Sequence, residues 1–195
     1  NEPINRDLTQ KGMHVIISET ERLSQMVEEL LDFSRIQSGR FKLVIDHIDI
    51  IAELSDAVLM YTERVKRENM TLIYNEPDYL VMVNGDRNRL RQVFVNIIDN
   101  AIKYSDPGGT ITITVSRAAG RVIITISDTG CGIKEADLPK VKSKFYKANS
   151  TRRGSGIGLA VADEIISQHD GSLELSSREG VGTTVTITLP TIDEP

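Results

Sequence analysis

Residues 86–105 read Asp-Arg-Asn-Arg-Leu-Arg-Gln-Val-Phe-Val-Asn-Ile-Ile-Asp-Asn-Ala-Ile-Lys-Tyr-Ser. At 100° per residue, Leu90, Phe94, Ile97, Ile98 and Ala101 form one apolar stripe. Gln92, Asn96, Asp99, Asn100 and Lys103 fall on the opposite side. One face of this helix therefore packs on a core, while the other lines up amides and a cation. Asn96 and Asn100 are one helical turn apart, so their side chains stand one above the other. Asn is a poor helix-interior residue because its side chain competes for backbone hydrogen bonds. Two stacked asparagines need a reason. A side-chain amide oxygen can ligate a hard cation such as Mg²⁺, which keeps several waters and bridges to phosphate. Lys103 adds positive charge a turn further on. The competing reading is a solvated helix face with two tolerated asparagines.

Upstream, residues 7–37 carry a helical pattern in which Met13, Ile16, Thr20, Leu23, Val27 and Leu30 recur at spacings of three and four. Glu19, Glu21, Arg22, Glu28 and Glu29 flank this seam, and Ser38-Gly39 supplies a stop. The seam wants another helix, another chain, or both; a packing arm on the main domain is the simpler alternative. Residues 41–49 read as a strand leading into a helix capped by Asp49, which runs to about Glu68 and buries Ile51, Leu54, Val58 and Leu59. Short strands at 71–74 and 80–83 precede the asparagine helix. Downstream, a Pro-Gly-Gly turn at 107–109 leads to a hairpin of β-branched residues, 110–116 with 121–127. A helix near 157–168 and strands at 172–176 and 183–189 complete the chain. This order predicts an α+β fold, a two-layer α/β sandwich with one mixed sheet and helices on one face.

At 195 residues the chain has room for one domain of moderate size plus an appendage. A net charge of -5 leaves no wide basic excess, which argues against nucleic-acid binding. Cys131 is the only cysteine, so no internal disulfide or Cys-based zinc site can form, and a reducing compartment is the natural home. No run of about 18 apolar residues is present, and residues 1–5 do not resemble a signal peptide. The abrupt entry into a helical pattern suggests a piece of a longer protein, with any membrane anchor lying upstream.

Three further stretches bear on chemistry. Ser-Asp-Thr-Gly-Cys-Gly-Ile at 127–133 ends a strand; an Asp there, followed by Gly-x-Gly, sets a carboxylate at a pocket edge while glycines let backbone approach a flat ligand. Such a carboxylate can accept from an exocyclic amine like that of adenine. A tight turn with a self-bonding Asp is the alternative. Lys140, Lys142, Lys144, Lys147, Arg152 and Arg153 form a basic run without an acid, ending in Gly-Ser-Gly-Ile-Gly-Leu-Ala at 154–160, where a helix opens. Backbone N–H groups at a helix start bind anions, and glycines leave a phosphate room. The Lys of a Walker motif is absent. Finally, Gly-Val-Gly-Thr-Thr at 180–184 opens the last strand, where a Thr hydroxyl can reach Asp128 across adjacent strands.

In this order, Asn-x-x-x-Asn-Ala-x-Lys-Tyr, Asp-x-Gly-x-Gly, Phe-Tyr-Lys, Gly-x-Gly-x-Gly-Leu and Gly-x-Gly-Thr resemble the boxes of sensor histidine kinases. The Glu-Thr-Glu-Arg-Leu at 19–23 and Leu-Asp-Phe-Ser-Arg-Ile-Gln-Ser-Gly at 31–39 resemble the second helix of that family's dimerisation domain. The resemblance implies a Bergerat-type ATP-binding domain at 40–195 behind a partial dimerisation helix at 1–39. It implies that Asn100 ligates Mg²⁺, Asn96 contacts phosphate or metal-bound water, and Lys103 and Tyr104 contact phosphate and ribose. Asp128 would bind the adenine amino group, with Gly130 and Gly132 shaping that wall and Thr183 supporting the carboxylate. Tyr146 and Lys147 would belong to a lid at 140–154, mobile without nucleotide. Gly154, Gly156, Gly158 and Leu159 would hold the triphosphate of ATP. The partners implied are the receiver domain of a response regulator and a second copy of the chain. The setting implied is the cytoplasmic portion of a membrane-anchored bacterial sensor.

The sequence departs from that family in two places. Lys142-Ser-Lys stands where Phe-Glu-Arg is usual, and the box carrying the phosphate-accepting histidine is absent. His14, His47 and His169 lack its context and read as structural or surface residues, so the chain is not expected to phosphorylate itself. Position 96 is Asn where related hydrolases of the superfold carry a water-activating Glu; an amide takes no proton at neutral pH, which favours a kinase over a hydrolase. A serine-directed anti-sigma kinase on the same superfold and a non-catalytic nucleotide-binding module are the rival readings.

Overall fold

The computed structural model describes residues 6–143, 146 and 155–192. The chain divides into two units, Asn1–Phe41 and Lys42–Pro195. The first is one helix, α1 (Arg6–Gln37). It stops where Gly39 takes a φ of 65°, a left-handed conformation that glycine adopts without a Cβ penalty. Within this unit Met13, Ile16, Leu23, Val27 and Leu30 are all exposed.

The second unit runs β1 (Asp46–Asp49), α2 (Ile50–Arg67), β2 (Thr71–Tyr74), β3 (Met82–Gly85), α3 (Arg87–Tyr104), β4 (Thr110–Ala118), β5 (Arg121–Asp128), α4 (Gly158–Ser167), β6 (Ser172–Arg178) and β7 (Gly182–Pro190), with a short 3₁₀ turn at Leu138–Lys140. Five strands form one mixed sheet in the order β2-β4-β5-β7-β6; β2 and β4 are parallel and the other pairs antiparallel. Instead of joining that sheet, β1 and β3 make a separate antiparallel pair. The outer edge of β3 is engaged by the chain end, where Ile192 N–H donates to the Met82 carbonyl at 2.8 Å. The first strand is also shorter than the pattern of 41–49 suggests. Ladder pairing begins only at Asp46, and Val44 N–H turns instead to the Asp86 carboxylate at 2.8 Å.

Both central helices are capped as their first residues dictate. Asp49 accepts from Ile51 N–H, and Asp86 accepts from the N–H groups of Asn88 and Arg89. Leu90, Phe94, Ile97, Ile98 and Ala101 of α3 are all buried, as the stripe requires. On α2, Ile51, Leu54 and Val58 are buried but Leu59 is 73% exposed. One more residue turns the helix a further 100° or so, which carries Leu59 out of the packed arc. Glu53, 1% exposed, joins α2 to α3 through Arg87 and Arg91, each at 2.8 Å. An acid this buried is tolerable only because it is paired.

The sheet register locates the boundary between core and site. Val115, Ile124, Ile187 and Leu173 lie in one cross-strand row, and Ile113, Ile126, Val185 and Leu175 in the next row on that face. The following row is Ile111, Asp128, Thr183 and Ser177. Because side chains alternate faces, Asp128 leaves the sheet on the same side as the buried isoleucines. The core ends there and a polar row begins.

Candidate functional site

Asp128 is the last residue of β5, half-buried, and its Oδ1 accepts from Gly130 N–H at 2.9 Å and Thr183 N–H at 3.2 Å. Burial raises its pKa above the ordinary carboxylate value, and the two N–H donors oppose that rise. Among the described residues no group donates to Oδ2, so one oxygen is fixed by backbone and the other is open to a donor from outside. Thr183 supports Asp128, but not through its hydroxyl as the sequence suggests. Its backbone N–H makes that bond, while its Oγ1 pairs with Ser177 Oγ at 2.8 Å. Ser177, which no motif singles out, also donates to the Gly182 carbonyl at 2.8 Å and accepts from Ile133 N–H at 2.9 Å. One hydroxyl thus ties the Gly-x-Gly turn to the start of β7.

The glycines of this wall answer to close approach. A Cβ on Gly130 would stand 2.4 Å from the Tyr104 carbonyl oxygen. One on Gly132, where φ is 65°, would stand 2.0 Å from the Arg178 carbonyl oxygen. Cys131 N–H donates to the Tyr104 carbonyl at 3.0 Å, so the turn after β5 is bonded to the last turn of α3.

On α3, Asn100 Nδ2 donates to Asn96 Oδ1 at 3.1 Å, both side chains half-buried. The bond orients the pair so that Asn100 Oδ1 is left as an acceptor with no described partner. Lys103 Nζ lies 4.8 Å from the centroid of the Tyr104 ring, a cation–π contact that holds the charge beside the helix end. Against the asparagines stands the start of α4. A Cβ on Gly158 would lie 2.5 Å from Asn96 Nδ2, so only glycine lets the helix start come this close. The N-cap residue of α4, Ile157, makes no side-chain cap bond of its own, while Ser155 Oγ accepts from its N–H at 3.1 Å, and Gly156 between them takes a φ of 74°. The first-turn N–H groups that follow, beside an amide oxygen, are suited to an anion and the cation that travels with it. Leu159 comes next in the same first turn, half-buried.

The basic run is only partly described. Lys147 and Gly154, like Lys144, Arg152 and Arg153, lie outside the described residues, as does most of the lid at 140–154. Lys142 is not a loose cation: it pairs with Asp163 of α4 at 2.8 Å and also donates to the Leu173 carbonyl of β6. Tyr146 donates its hydroxyl to Asp137 at 2.5 Å, with Lys140 Nζ 6.0 Å from its ring. His47 is exposed on β1, and His169 is buried at 4% exposure. The side chain of His14 is outside the described residues.

A family model described as histidine kinase-, DNA gyrase B-, and HSP90-like ATPase matches residues 85–193, which hold α3 and every later element. Sensor histidine kinase WalK of Bacillus subtilis (strain 168) is 35% identical over 196 residues, an alignment covering 97% of this chain and 32% of that relative. The chain therefore spans about a third of the length of this relative. Among solved structures, full-length ShkA in complex with AMPPNP aligns with a TM-score of 0.80 at 22% identity, over 95% of this chain and 39% of that one. Histidine kinase ThkA in complex with response regulator protein TrrA aligns with a TM-score of 0.73 at 22% identity, over 98% of this chain and 53% of that one. At those identities the two structures establish likeness of fold. The chain belongs to the histidine kinase-, DNA gyrase B-, and HSP90-like ATPase family, as the catalytic domain of a sensor histidine kinase.

Proposed function

We propose that residues 40–195 bind Mg²⁺-ATP and present its γ-phosphoryl group to a histidine on a helix outside this chain, for relay to an aspartate of a response regulator. The observation that carries this reading is the meeting of the Asn96–Asn100 pair with the start of α4 at Gly158. It sets an amide oxygen, a helix N-terminus and Lys103 on one side, with the half-open Asp128 on the other. The donor set suits the ligand: a hard cation takes neutral oxygens and keeps its waters, so no cluster of carboxylates is needed. Asn100 would ligate the metal and Asn96 would contact phosphate or metal-bound water. Gly154, Gly156, Gly158 and Leu159 would cradle phosphate, with Tyr146 and Lys147 approaching from the lid. Lys103 and Tyr104 would contact phosphate and ribose. Asp128 Oδ2 would accept from the adenine amino group, against Gly130 and Gly132.

When bound, Mg²⁺ neutralises phosphate charge and polarises the phosphoryl group. The chain's own part is positioning, which is most of what phosphoryl transfer asks of a protein. Asn96 offers no base to a water molecule, so the site holds ATP without directing it to hydrolysis. The exposed seam of α1 supports pairing with the missing hairpin helix and a second copy of the chain. The response regulator as partner is supported by the family and by the solved complex of ThkA with TrrA. A cytoplasmic setting belongs to the same reading; no described helix is long and apolar enough to cross a membrane.

Isothermal titration tests the site. The unmodified chain should take up Mg²⁺-ATP, and Asp128→Ala and Asn100→Ala should each weaken it roughly a hundredfold, the scale of losing a charged hydrogen bond or a metal ligand. Equal heats for all three chains would sink the assignment. With γ-labelled ATP the chain alone should stay unlabelled, and label should appear on a separately supplied acceptor helix.

A further inference from the structure

His169 lies at the far end of α4 from the candidate site, and the site's geometry leaves it without a task. It is 4% exposed and both of its ring nitrogens are engaged. Asp86 N–H donates to Nε2 at 2.9 Å, so the ring proton sits on Nδ1 and points at the Ile165 carbonyl, 2.6 Å away. Asp86 is the N-cap of α3, and Ile165 belongs to the last turns of α4. The imidazole therefore bridges the start of one helix and the end of the other. Gly85 keeps the bridge close: a Cβ there would stand 2.4 Å from Leu90 Cδ1 and 3.3 Å from His169 Cδ2.

The two helices meet again at Asn96 and Gly158, where the candidate site is built. From Asp86 to Asn96, α3 rises about 15 Å, and α4 rises about 14 Å from Gly158 to its last residue, Ser167, two positions before His169. The spans are comparable. Antiparallel α3 and α4 are thus held in register at both ends, by a side-chain bridge at one and a glycine contact at the other. Packed helices have few ways to slide by a fraction of a turn, because ridges must re-enter grooves. A tie at one end consequently fixes the other end.

We infer that His169 is a positioning residue for the phosphate end of the nucleotide site: its imidazole bridge between Asp86 and Ile165 sets the register of α4 on α3, and with it the distance from the α4 N-terminus to Asn96 and Asn100. The inference rests on the Mg²⁺-ATP reading above. It touches the triphosphate alone, since Asp128, Gly130 and Thr183 are held by β5, β7 and the last turn of α3 rather than by α4.

That division supplies the test. Titrations compare Mg²⁺-ATP with adenosine on the unmodified chain, His169→Leu and His169→Gln, at a temperature where all are folded by circular dichroism. His169→Leu fills the space without an acceptor, and Mg²⁺-ATP should bind roughly tenfold more weakly while adenosine is unchanged. His169→Gln returns an acceptor to Asp86 and should recover most of the loss. A purely structural role predicts a lower unfolding temperature with unchanged Mg²⁺-ATP affinity, or an equal loss for both ligands; either overturns the inference, as does a Gln variant no better than Leu. Should the Leu variant fail to fold, linkage gives a second measurement on the unmodified chain: Mg²⁺-ATP should slow hydrogen exchange at the Asp86 amide several-fold, and adenosine should not. No change with Mg²⁺-ATP would overturn the proposal. A chain that takes up no Mg²⁺-ATP at all would overturn the function reading itself, and this inference with it.

Discussion

Helices α1 and α3 carry apolar residues at the same three- and four-residue spacings, yet they end in opposite environments. On α3 the stripe from Leu90 to Ala101 is 0–4% exposed, because the five-stranded sheet and the neighbouring helices close over it. On α1 the corresponding stripe from Met13 to Leu30 is 51–67% exposed. Periodicity announces that a helix has a face to bury; it does not say whether the partner is in the same chain. The two helices are separated by the company they keep along the chain. Strands with buried rows come directly after α3, whereas α1 stands in a unit of its own. The polar faces differ in the same way. Opposite its stripe, α3 presents amides locked to each other and pressed by Gly158. Among the described residues of α1, Glu28 is exposed and Glu19 and Glu29 are half-buried, charges that suit solvent or a neighbouring helix.

The comparison is sharpest in a pair of truncations. Phe94→Ala empties a fully buried site and should lower the stability of the second unit by about 3–5 kcal/mol in urea unfolding. Leu23→Ala, at 55% exposure, should leave that transition within about 0.5 kcal/mol of the unmodified chain. The Leu23 change should instead weaken self-association, read by light scattering over a range of concentrations. If Leu23→Ala destabilised the second unit as Phe94→Ala does, the contrast between the helices would fail. If scattering showed a strict monomer at every concentration, the seam would belong to some other partner.

A smaller effect divides the two walls of the site. Gly132→Ala asks a left-handed residue to carry a Cβ that would meet backbone at 2.0 Å, so the turn must shift. It should cost about 1–3 kcal/mol of stability and weaken adenosine binding. Gly158→Ala meets the Asn96 amide first, at 2.5 Å, and should weaken Mg²⁺-ATP while sparing adenosine. Should the two substitutions act alike on both ligands, the wall and the phosphate cradle are not separate parts.

The sequence made local devices legible and left long-range ones dark. The α3 stripe, the Asp49 cap of α2, the Asp128 strand end and the glycine-opened helix can each be read from spacing within a dozen residues. Ser177 cannot: a serine in an alternating strand looks like any solvent-facing residue until the register brings it beside Thr183 and Gly182. The same holds for Lys142 with Asp163 and for Asp86 with His169, pairs far apart along the chain that only the tertiary fold joins. Leu59 fails for a different reason. Spacing marks it as one of the stripe, but the width of the buried arc is set by the elements that pack on α2, which no local pattern records. Thr183 shows the finer version, a residue in its expected place whose backbone, not hydroxyl, makes the contact.

The smallest expected effect concerns the sheet-side wall alone and separates binding from folding by sign. Burial holds the Asp128 pKa above its ordinary value, so the folded chain keeps that proton more tightly than the unfolded chain does. The contribution to stability is fully present below the unfolded pKa and is lost as pH rises through the folded one. Acidifying through that window should therefore stabilise the ligand-free chain slightly. The proposed adenine contact runs the other way, because a protonated carboxyl gives up acceptor capacity at Oδ2. Adenosine affinity should fall over the same window, beginning at a higher pH than an unperturbed aspartate would set. Asp128→Asn should remove both slopes, so the difference between the two chains isolates this group from every other carboxylate. Titration and urea unfolding across the acidic range measure the pair of slopes. Slopes of the same sign would mean that Asp128 does not accept from the ligand, and the carboxylate would return to being the cap of its own turn.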